Sequence, residues 1–297
     1  TRRPREVAVV GAGPAGLSAA VSLAEVGNKV TLFEKSAHLG GQFRLAMQVP
    51  GKEEFTETLR YYTRRLEVLS VDVRLGTEAT AAALGGFDEV VIATGVEPRV
   101  PAIPGIDHTK AVLYSQVLDG SVVPGQKVAV IGAGGIGVDV SVFLTHAEES
   151  LEEWLAHWGV GDPDVERGGL TDPEPRTPAR QVTLIQRKTS MIGRDLGKTS
   201  GWAHRSVLKQ SGVRQVSGAT YDLIDDAGLH ITVDGKPQLV EVDHVVICAG
   251  QESVRGLYDE LVAAGRPVRI IGGADVAAEL DAKRAIEQGV RLAAASA

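Results

Sequence analysis

Val7-Ala8-Val9-Val10-Gly11-Ala12-Gly13-Pro14-Ala15-Gly16 and Val128-Ala129-Val130-Ile131-Gly132-Ala133-Gly134-Gly135-Ile136-Gly137 repeat one pattern within a single chain. Each joins an apolar run, expected as a buried strand, to glycines spaced Gly-x-Gly-x-x-Gly. The first glycine permits the tight strand-to-helix turn. The second lets backbone approach a pyrophosphate, and the third allows the following helix to pack closely on the strand. That helix presents free N–H groups and a partial positive charge to the phosphates. One such loop is a weak signal; two imply two dinucleotide sites, with Gly11, Gly13 and Ala15 at the first and Gly132, Gly134, Gly135 and Ile136 at the second.

Around the first loop, a strand at 7–10, a helix from 15 to about 26 and a strand at 30–33 form a βαβ module ending at Glu34. An acid about 20 residues beyond the first glycine receives the adenosine ribose hydroxyls. Its charge repels a 2′-phosphate. Around the second loop, a strand at 127–131 and a helix to about 144 lead into a polar, proline-broken insertion at about 146–180, so the partner strand at 182–186 arrives late. Trp154 and Trp158 in that insertion stand at i,i+4 spacing, which predicts a short helix packed on the body. Where the first module carries its acid, the second has Gln186-Arg187-Lys188. Loss of the carboxylate and gain of a guanidinium and an ammonium favour NADP over NAD, because arginine pairs with phosphate bidentately.

Between the two modules, 39–44 reads as a flexible glycine-rich turn with no packing role, holding Gln42 just past the first ribose corner. A helix at about 53–69, a small strand at 71–75 and a buried strand at 87–95 follow. Pro98, Pro101, Pro104 and Gly105 then make an irregular connector. Beyond a helix at 203–210, strands near 221–224, 229–233 and 240–242 predict a small antiparallel piece, and 245–250 mirrors 91–95. The tail, a strand at 268–271, Gly272-Gly273-Ala274-Asp275 and a helix near 283–295, reads as a return to the first domain. The fold class is therefore α/β, with two Rossmann-like dinucleotide-binding domains, the second inserted in the first. Residues 1–108 and 251–297 are expected to form an FAD-binding domain and 109–250 an NADPH-binding domain.

The 297 residues suffice for two domains, and 35 glycines exceed the usual share of about 7%. The net charge of −7 is spread without a long basic run, which argues against nucleic acid or an anionic membrane as partner. The single cysteine, Cys248, excludes an intrachain disulfide and a self-contained iron–sulfur or zinc cluster, and fits a reducing compartment, the cytoplasm by default. No apolar stretch of about 18 residues or secretory signal is present. The chain opens at Thr1-Arg2-Arg3-Pro4 without an initiator methionine. That start reads as a trimmed N-terminus or as a segment of a longer polypeptide.

Taken together, these features resemble the two-dinucleotide flavoproteins, and more closely the C-terminal part of the NADPH-dependent 2,4-dienoyl-CoA reductase family, with trimethylamine dehydrogenase a more distant relative. Several stretches carry the resemblance at once: 40–48 with Pro50-Gly51-Lys52-Glu53-Glu54-Phe55, Gln186-Arg187-Lys188, Leu196-Gly197-Lys198-Thr199-Ser200-Gly201-Trp202, 246–251 and 272–284. The resemblance implies electron flow from NADPH to FAD, then through a four-iron cluster to FMN in an N-terminal barrel, where a dienoyl-CoA of fatty-acid β-oxidation is reduced. This sequence departs from that pattern, since it holds no barrel and one cysteine cannot bind the cluster. The chain thus resembles the electron-input half.

By the same resemblance, Lys52 and the backbone near Ala79 border the adenine end of FAD, and Thr94 and Gly95 close over the cofactor. Gly273 and Asp275 meet the ribityl chain, and the helix after Asp281 points its N-terminus at the flavin pyrimidine. Arg187 and Lys188 face the 2′-phosphate of NADPH. Hydride transfer between the cofactors needs no acid–base residue or metal, so none is nominated; His204, read as lying in a loop after Trp202, is expected as a surface or packing residue and Cys248 as a buried apolar thiol. Other readings stay open: a free-standing NADPH reductase resembling ferredoxin reductases, a structural ADP-binding module, or an inert piece of a larger protein. A thioredoxin-reductase reading lacks its Cys-x-x-Cys.

Overall fold

The computed structural model describes residues 3–194, 196–197, 199–278 and 281–295. Lys198, within one stretch that carries the resemblance, and Thr1-Arg2 at the start lie outside the described residues. The chain divides into two compact units, Thr1–Glu97 with Gln251–Ala297, and Pro98–Gly250. The proline-rich connector 98–108, expected with the first domain, groups with the second unit.

In the first unit β1 (Glu6–Val10), β2 (Lys29–Phe33), β3 (Asp72–Arg74), β4 (Glu89–Ile92) and β15 (Val268–Ile270) form a parallel sheet in the order β15-β4-β1-β2-β3. Val7–Val10 are buried on both faces, the reason a central parallel strand reads as an unbroken apolar run. Helix α1 (Pro14–Glu25) covers the sheet, with Pro14 in its first turn, where a missing N–H costs nothing. Leu17 and Leu23 on its inner side are fully buried, each stabilising by about 1.5–3 kcal/mol. Helix α9 (Ala282–Ala294) lies on α1 at close range: a Cβ added at Gly289 would stand 2.6 Å from the Ala19 nitrogen, and Ser18 Oγ donates to the Ile286 carbonyl at 2.8 Å. Helix α8 (Gly256–Ala263) precedes β15.

The segment at 39–44 corrects its sequence reading. It carries the short helix α2 (Gln42–Ala46), whose Phe43 is buried and stacks on Phe55 with ring centroids 4.6 Å apart. Phe55 opens helix α3 (Phe55–Val68). An aromatic partner twelve positions on is invisible to a local reading of glycine content, so the turn looked looser than it is. Strands β5 (Val96–Pro98) and β14 (Gln251–Ser253) pair as a two-stranded ribbon.

The second unit repeats the plan. Strands β6 (Ala111–Leu113), β7 (Lys127–Ile131), β8 (Gln181–Ile185), β9 (Arg214–Val216) and β13 (His244–Ile247) form a parallel sheet ordered β6-β13-β7-β8-β9, with β7 in the place of β1. Helix α4 (Tyr114–Leu118) follows β6, and helix α5 (Gly135–Thr145) follows the glycine loop. An antiparallel piece of β10 (Ala219–Asp225), β11 (Gly228–Val233) and β12 (Lys236–Val240) packs its apolar side into the same core. Its third strand starts earlier than the 240–242 expected, because the tight turn Asp234-Gly235 brings the chain back directly. Helix α7 (Gly201–Gln210) includes His204, as the helix expected at 203–210 requires and the loop reading of that residue does not.

The insertion holds helix α6 (Leu151–His157), opened by a reciprocal cap: Ser150 Oγ accepts from the Glu153 N–H at 3.2 Å and the Glu153 carboxylate from the Ser150 N–H at 2.7 Å. Glu149 staples its two ends, meeting His157 Nδ1 at 2.6 Å and Arg176 at 2.8 Å.

Candidate nucleotide sites

The two glycine loops share one geometry. Gly11 and Gly132 have φ of 102° and 98°, a region only glycine enters without strain. A Cβ at either would stand 2.4 Å from the Ala93 carbonyl oxygen or 2.3 Å from that of Cys248, backbone that cannot give way. At the third glycines, Gly16 and Gly137, a Cβ would fall 1.8 Å from the carbonyl oxygen of the first. At the middle glycines, Gly13 and Gly134, it would meet nothing within 4 Å. Those hydrogens therefore border open space in front of helices α1 and α5, each preceded by its extended middle glycine. In each loop two positions are closed by the protein itself and one is left clear, the shape needed for a pyrophosphate to lie against backbone N–H groups. The residues present fit the dinucleotides that the pattern implies.

The ribose corners differ in charge. In the first unit Glu34, 9% exposed, accepts from the Ala12 N–H at 2.8 Å and from the Ser36 N–H at 2.8 Å, so its carboxylate ties the strand end to the glycine loop. In the second unit Gln186 is also buried, but its amide turns away to the Ser190 carbonyl and to Ser217 Oγ. Arg187 and Lys188 beside it are exposed. The backbone around these corners is the same. The Gly11 and Gly132 N–H groups donate to Phe33 and Ile185 at 2.8 Å, Glu34 and Gln186 to Arg74 and Val216 at 2.9 Å, and Thr77 and Ala219 back to Glu34 and Gln186 at 2.9 and 3.1 Å.

The remaining candidates fall around the first loop. Ala79 is two residues beyond Thr77 and packs against the apolar cluster that contains Phe33 and Leu84. Thr94 follows the Ala93 carbonyl that abuts Gly11; its hydroxyl donates to the Val254 carbonyl, while Gly95 accepts from the Val254 N–H at 3.0 Å. Gly272 sits so close to Ala15 that an added Cβ would be 2.8 Å from that of Ala15, which brings the short turn Gly272–Ala274 to the start of α1. Gly273 accepts from Ser253 Oγ at 2.7 Å and Asp275 is exposed at the end of this turn. Asp281 caps α9 by accepting from the Arg284 N–H at 2.6 Å. Gln42 begins α2 and reaches the Val96 carbonyl at 3.4 Å. Lys52 lies in the turn before α3, where its N–H donates to the Val49 carbonyl at 3.0 Å.

Sequence reasoning passed over Gln288, whose amide oxygen accepts from the Gly272 N–H at 2.6 Å and so fixes the turn beside Ala15. It also passed over Tyr221 as a site residue. The Tyr221 hydroxyl donates to the Ile185 carbonyl at 3.1 Å, the same oxygen that receives the Gly132 N–H. Burial pushes this phenol up to about 12. Cys248, at the end of β13, is buried with its thiol pushed well above the ordinary range by desolvation. Among the described residues no group of three or more His, Cys, Asp or Glu side chains is placed to hold a metal, and no helix is long and apolar enough to cross a membrane.

Two glycine loops of one geometry stand on two sheets that share the order of four strands, β4-β1-β2-β3 and β13-β7-β8-β9, and the profile described as pyridine nucleotide-disulphide oxidoreductase matches residues 5–280. The chain belongs to the pyridine nucleotide-disulphide oxidoreductase family. Its fold is accordingly the FAD/NAD(P)-binding Rossmann type. Within this family it resembles the metal reductase of Desulforamulus reducens, 30% identical over 280 residues that make up 92% of this chain and 42% of that protein. Among solved structures, a 2-naphthoyl-CoA reductase in complex with 2-naphthoyl-CoA aligns with a TM-score of 0.81 and 27% identity, over 98% of this chain and 40% of that one. The chain thus spans less than half the length of these relatives. Thioredoxin reductase of T. acidophilum shares the fold at 19% identity and a TM-score of 0.69, over 99% of this chain and 97% of that one. The family name refers to a disulphide, yet this sequence has one cysteine, and it is buried.

Proposed function

We propose that this chain is the electron-input module of an oxidoreductase resembling the 2,4-dienoyl-CoA reductases, binding FAD at the first loop and NADPH at the second. The observation that carries this reading is the contrast at two otherwise matching ribose corners: a buried carboxylate at Glu34, and exposed Arg187 and Lys188 in its place beyond β8. A carboxylate suits free ribose hydroxyls, and a guanidinium suits a 2′-phosphate.

The bound cofactors supply the chemistry, hydride transfer from nicotinamide C4 to flavin N5. The protein's part is placement and charge. The clear faces of Gly13 and Gly134 would admit the two pyrophosphates, Thr94 and the Gly272–Ala274 turn would border the first site, and by resemblance Asp275 would accept from a ribityl hydroxyl. With one buried cysteine the chain has no dithiol to receive the electrons, so an acceptor outside this sequence takes them. By resemblance that acceptor is a four-iron cluster and FMN in a barrel domain, with an acyl-CoA as the final substrate. Similarity to a CoA-ester reductase of which this chain covers 40% supports this placement. A cytoplasmic location goes with the same reading.

An anaerobic absorbance titration of the purified protein with NADPH and separately with NADH, after any released nucleotide has been identified by mass, tests it. The expected result is released FAD, and bleaching of the visible flavin band by NADPH at lower concentration than by NADH. Release of ADP alone would replace the reading with that of a structural nucleotide-binding module. Rapid reduction of an added ferredoxin by the chain alone would favour a free-standing reductase.

A further inference from the structure

The shared backbone geometry of the two ribose corners exposes a substitution of chemical type. In the first unit the glycine loop is tied down by a carboxylate, Glu34, which accepts from the Ala12 N–H at 2.8 Å. Its counterpart in the second unit, Gln186, directs its amide to Ser190 and Ser217 and leaves the loop alone. A different side chain arrives there. Tyr221 stands two residues after Ala219, as Ala79 stands two residues after Thr77, and Ala219 and Thr77 make the same hydrogen bond to the strand-end residue. Where the first unit has a methyl group, the second therefore has a phenol, and its hydroxyl donates to the Ile185 carbonyl at 3.1 Å. The Gly132 N–H donates to that same carbonyl at 2.8 Å, so the phenol and the glycine loop share one acceptor.

This side chain stands next to an irregularity in its strand. Strand β10 pairs with β11 in register at Tyr221 and Ile231, but the next pair is Leu223 with His230, so the strand bulges immediately after the tyrosine. Bulges re-aim the side chains beside them. Burial pushes the phenol up to about 12, which keeps it neutral through the physiological range. Arg187 is close enough to act electrostatically on the same oxygen.

Resting on the reading of the second loop as an NADP site, we propose that Tyr221 is a positioning residue for the nicotinamide nucleotide: an uncharged tether that holds the Gly132 corner where the first unit uses a carboxylate. An acid placed there would fix the loop equally well but would repel a 2′-phosphate. The phenol fixes it without negative charge and leaves Arg187 and Lys188 to receive the phosphate. The loop is thus pre-shaped for any pyridine dinucleotide, and the selection between the two cofactors falls to the cations.

The flavin-loaded protein and its Tyr221→Phe variant, titrated by calorimetry with NADP⁺ and with NAD⁺, separate these roles. A net loss of one hydrogen bond predicts dissociation constants about 3- to 10-fold higher for both nucleotides, with their ratio preserved. The limiting rate of flavin reduction at saturating NADPH should stay within about twofold of the parent, so that KM rises while kcat holds. Unchanged flavin content and a single cooperative thermal transition at neutral pH would show that the variant folds. Equal affinities in parent and variant would overturn the tether, as would a loss confined to NADP⁺, which would make Tyr221 a phosphate contact instead. A parent protein that binds neither nucleotide would overturn the second site itself and the tether with it.

Discussion

The Ala12 N–H donates to the Glu34 carboxylate at 2.8 Å, with both residues buried. The same side chain thus shapes the first glycine loop and offers its remaining lone pairs to a ribose. Glu34→Ala leaves the Ala12 and Ser36 N–H groups without their acceptor, at about 1–3 kcal/mol for a buried donor. The expected outcome is a roughly 10- to 100-fold loss of FAD affinity, read from flavin retention on gel filtration and from fluorescence titration of the apoprotein. Retention equal to the parent would remove Glu34 from the site.

Adjacent glycines of one loop should fail in different ways. Gly16→Ala puts a methyl 1.8 Å from the Gly11 carbonyl oxygen and should destabilise the first unit by several kcal/mol, seen as a lowered denaturation midpoint. Gly13→Ala meets no protein atom, and its φ of −75° is open to alanine. That variant should fold normally yet lose most of its flavin. Matched losses of stability in both variants would refute the assignment of Gly13 to ligand approach.

At the second corner, Arg187→Glu removes a cation and adds a repulsive charge. The apparent KM for NADPH should rise at least about 10-fold more than that for NADH. Steady-state reduction of a dye acceptor measures both, and equal effects would argue that the 2′-phosphate lies elsewhere.

High pH should report on Tyr221. Its folded pKa of about 12 exceeds the ordinary value of about 10, so between these limits the unfolded chain releases a proton that the native protein keeps. The stability due to the neutral phenol is complete below about pH 10 and is lost as pH rises towards about 12. Urea midpoints across that interval should therefore fall more steeply for the parent than for Tyr221→Phe. Parallel curves would mean that the phenol titrates freely.

Cys248 is buried, and desolvation disfavours its thiolate. Native protein should resist a thiol reagent at pH 8 for as long as it stays folded, and react at one site per chain in denaturant. Rapid native labelling would contradict its placement behind Gly132.

Much of this was legible in the sequence because periodicity and glycine spacing are local signals. The strands carrying Val7–Val10 and Val128–Ile131, the helices after each loop and the acid-for-base exchange at Glu34 and Arg187 needed only short windows. What escaped was set by distant partners. Phe43 stacks on Phe55, Gln288 holds Gly272, and Tyr221, next to a bulge in the antiparallel piece, bonds the Ile185 carbonyl. None has a local signature, since a bulge is a mismatch between two strands and a buried amide contact depends on a helix elsewhere in the chain. The difference between Gly13 and Gly16 was readable as motif, but the physical reason, open space against a carbonyl at 1.8 Å, is not.

The division of the first unit between two stretches of chain bears on the order of events during synthesis. Pro98–Gly250 is continuous, so all five strands of its sheet exist once that stretch has left the ribosome. The first unit must wait. Until Gln251–Ala297 follows, β4 has an unpaired edge where β15 belongs and α1 lacks the cover of α9, although both are made before the second unit. At roughly 5–20 residues per second, the N-terminal stretch stays incomplete for many seconds with apolar surface uncovered. The later-coded unit is thus the first that can close.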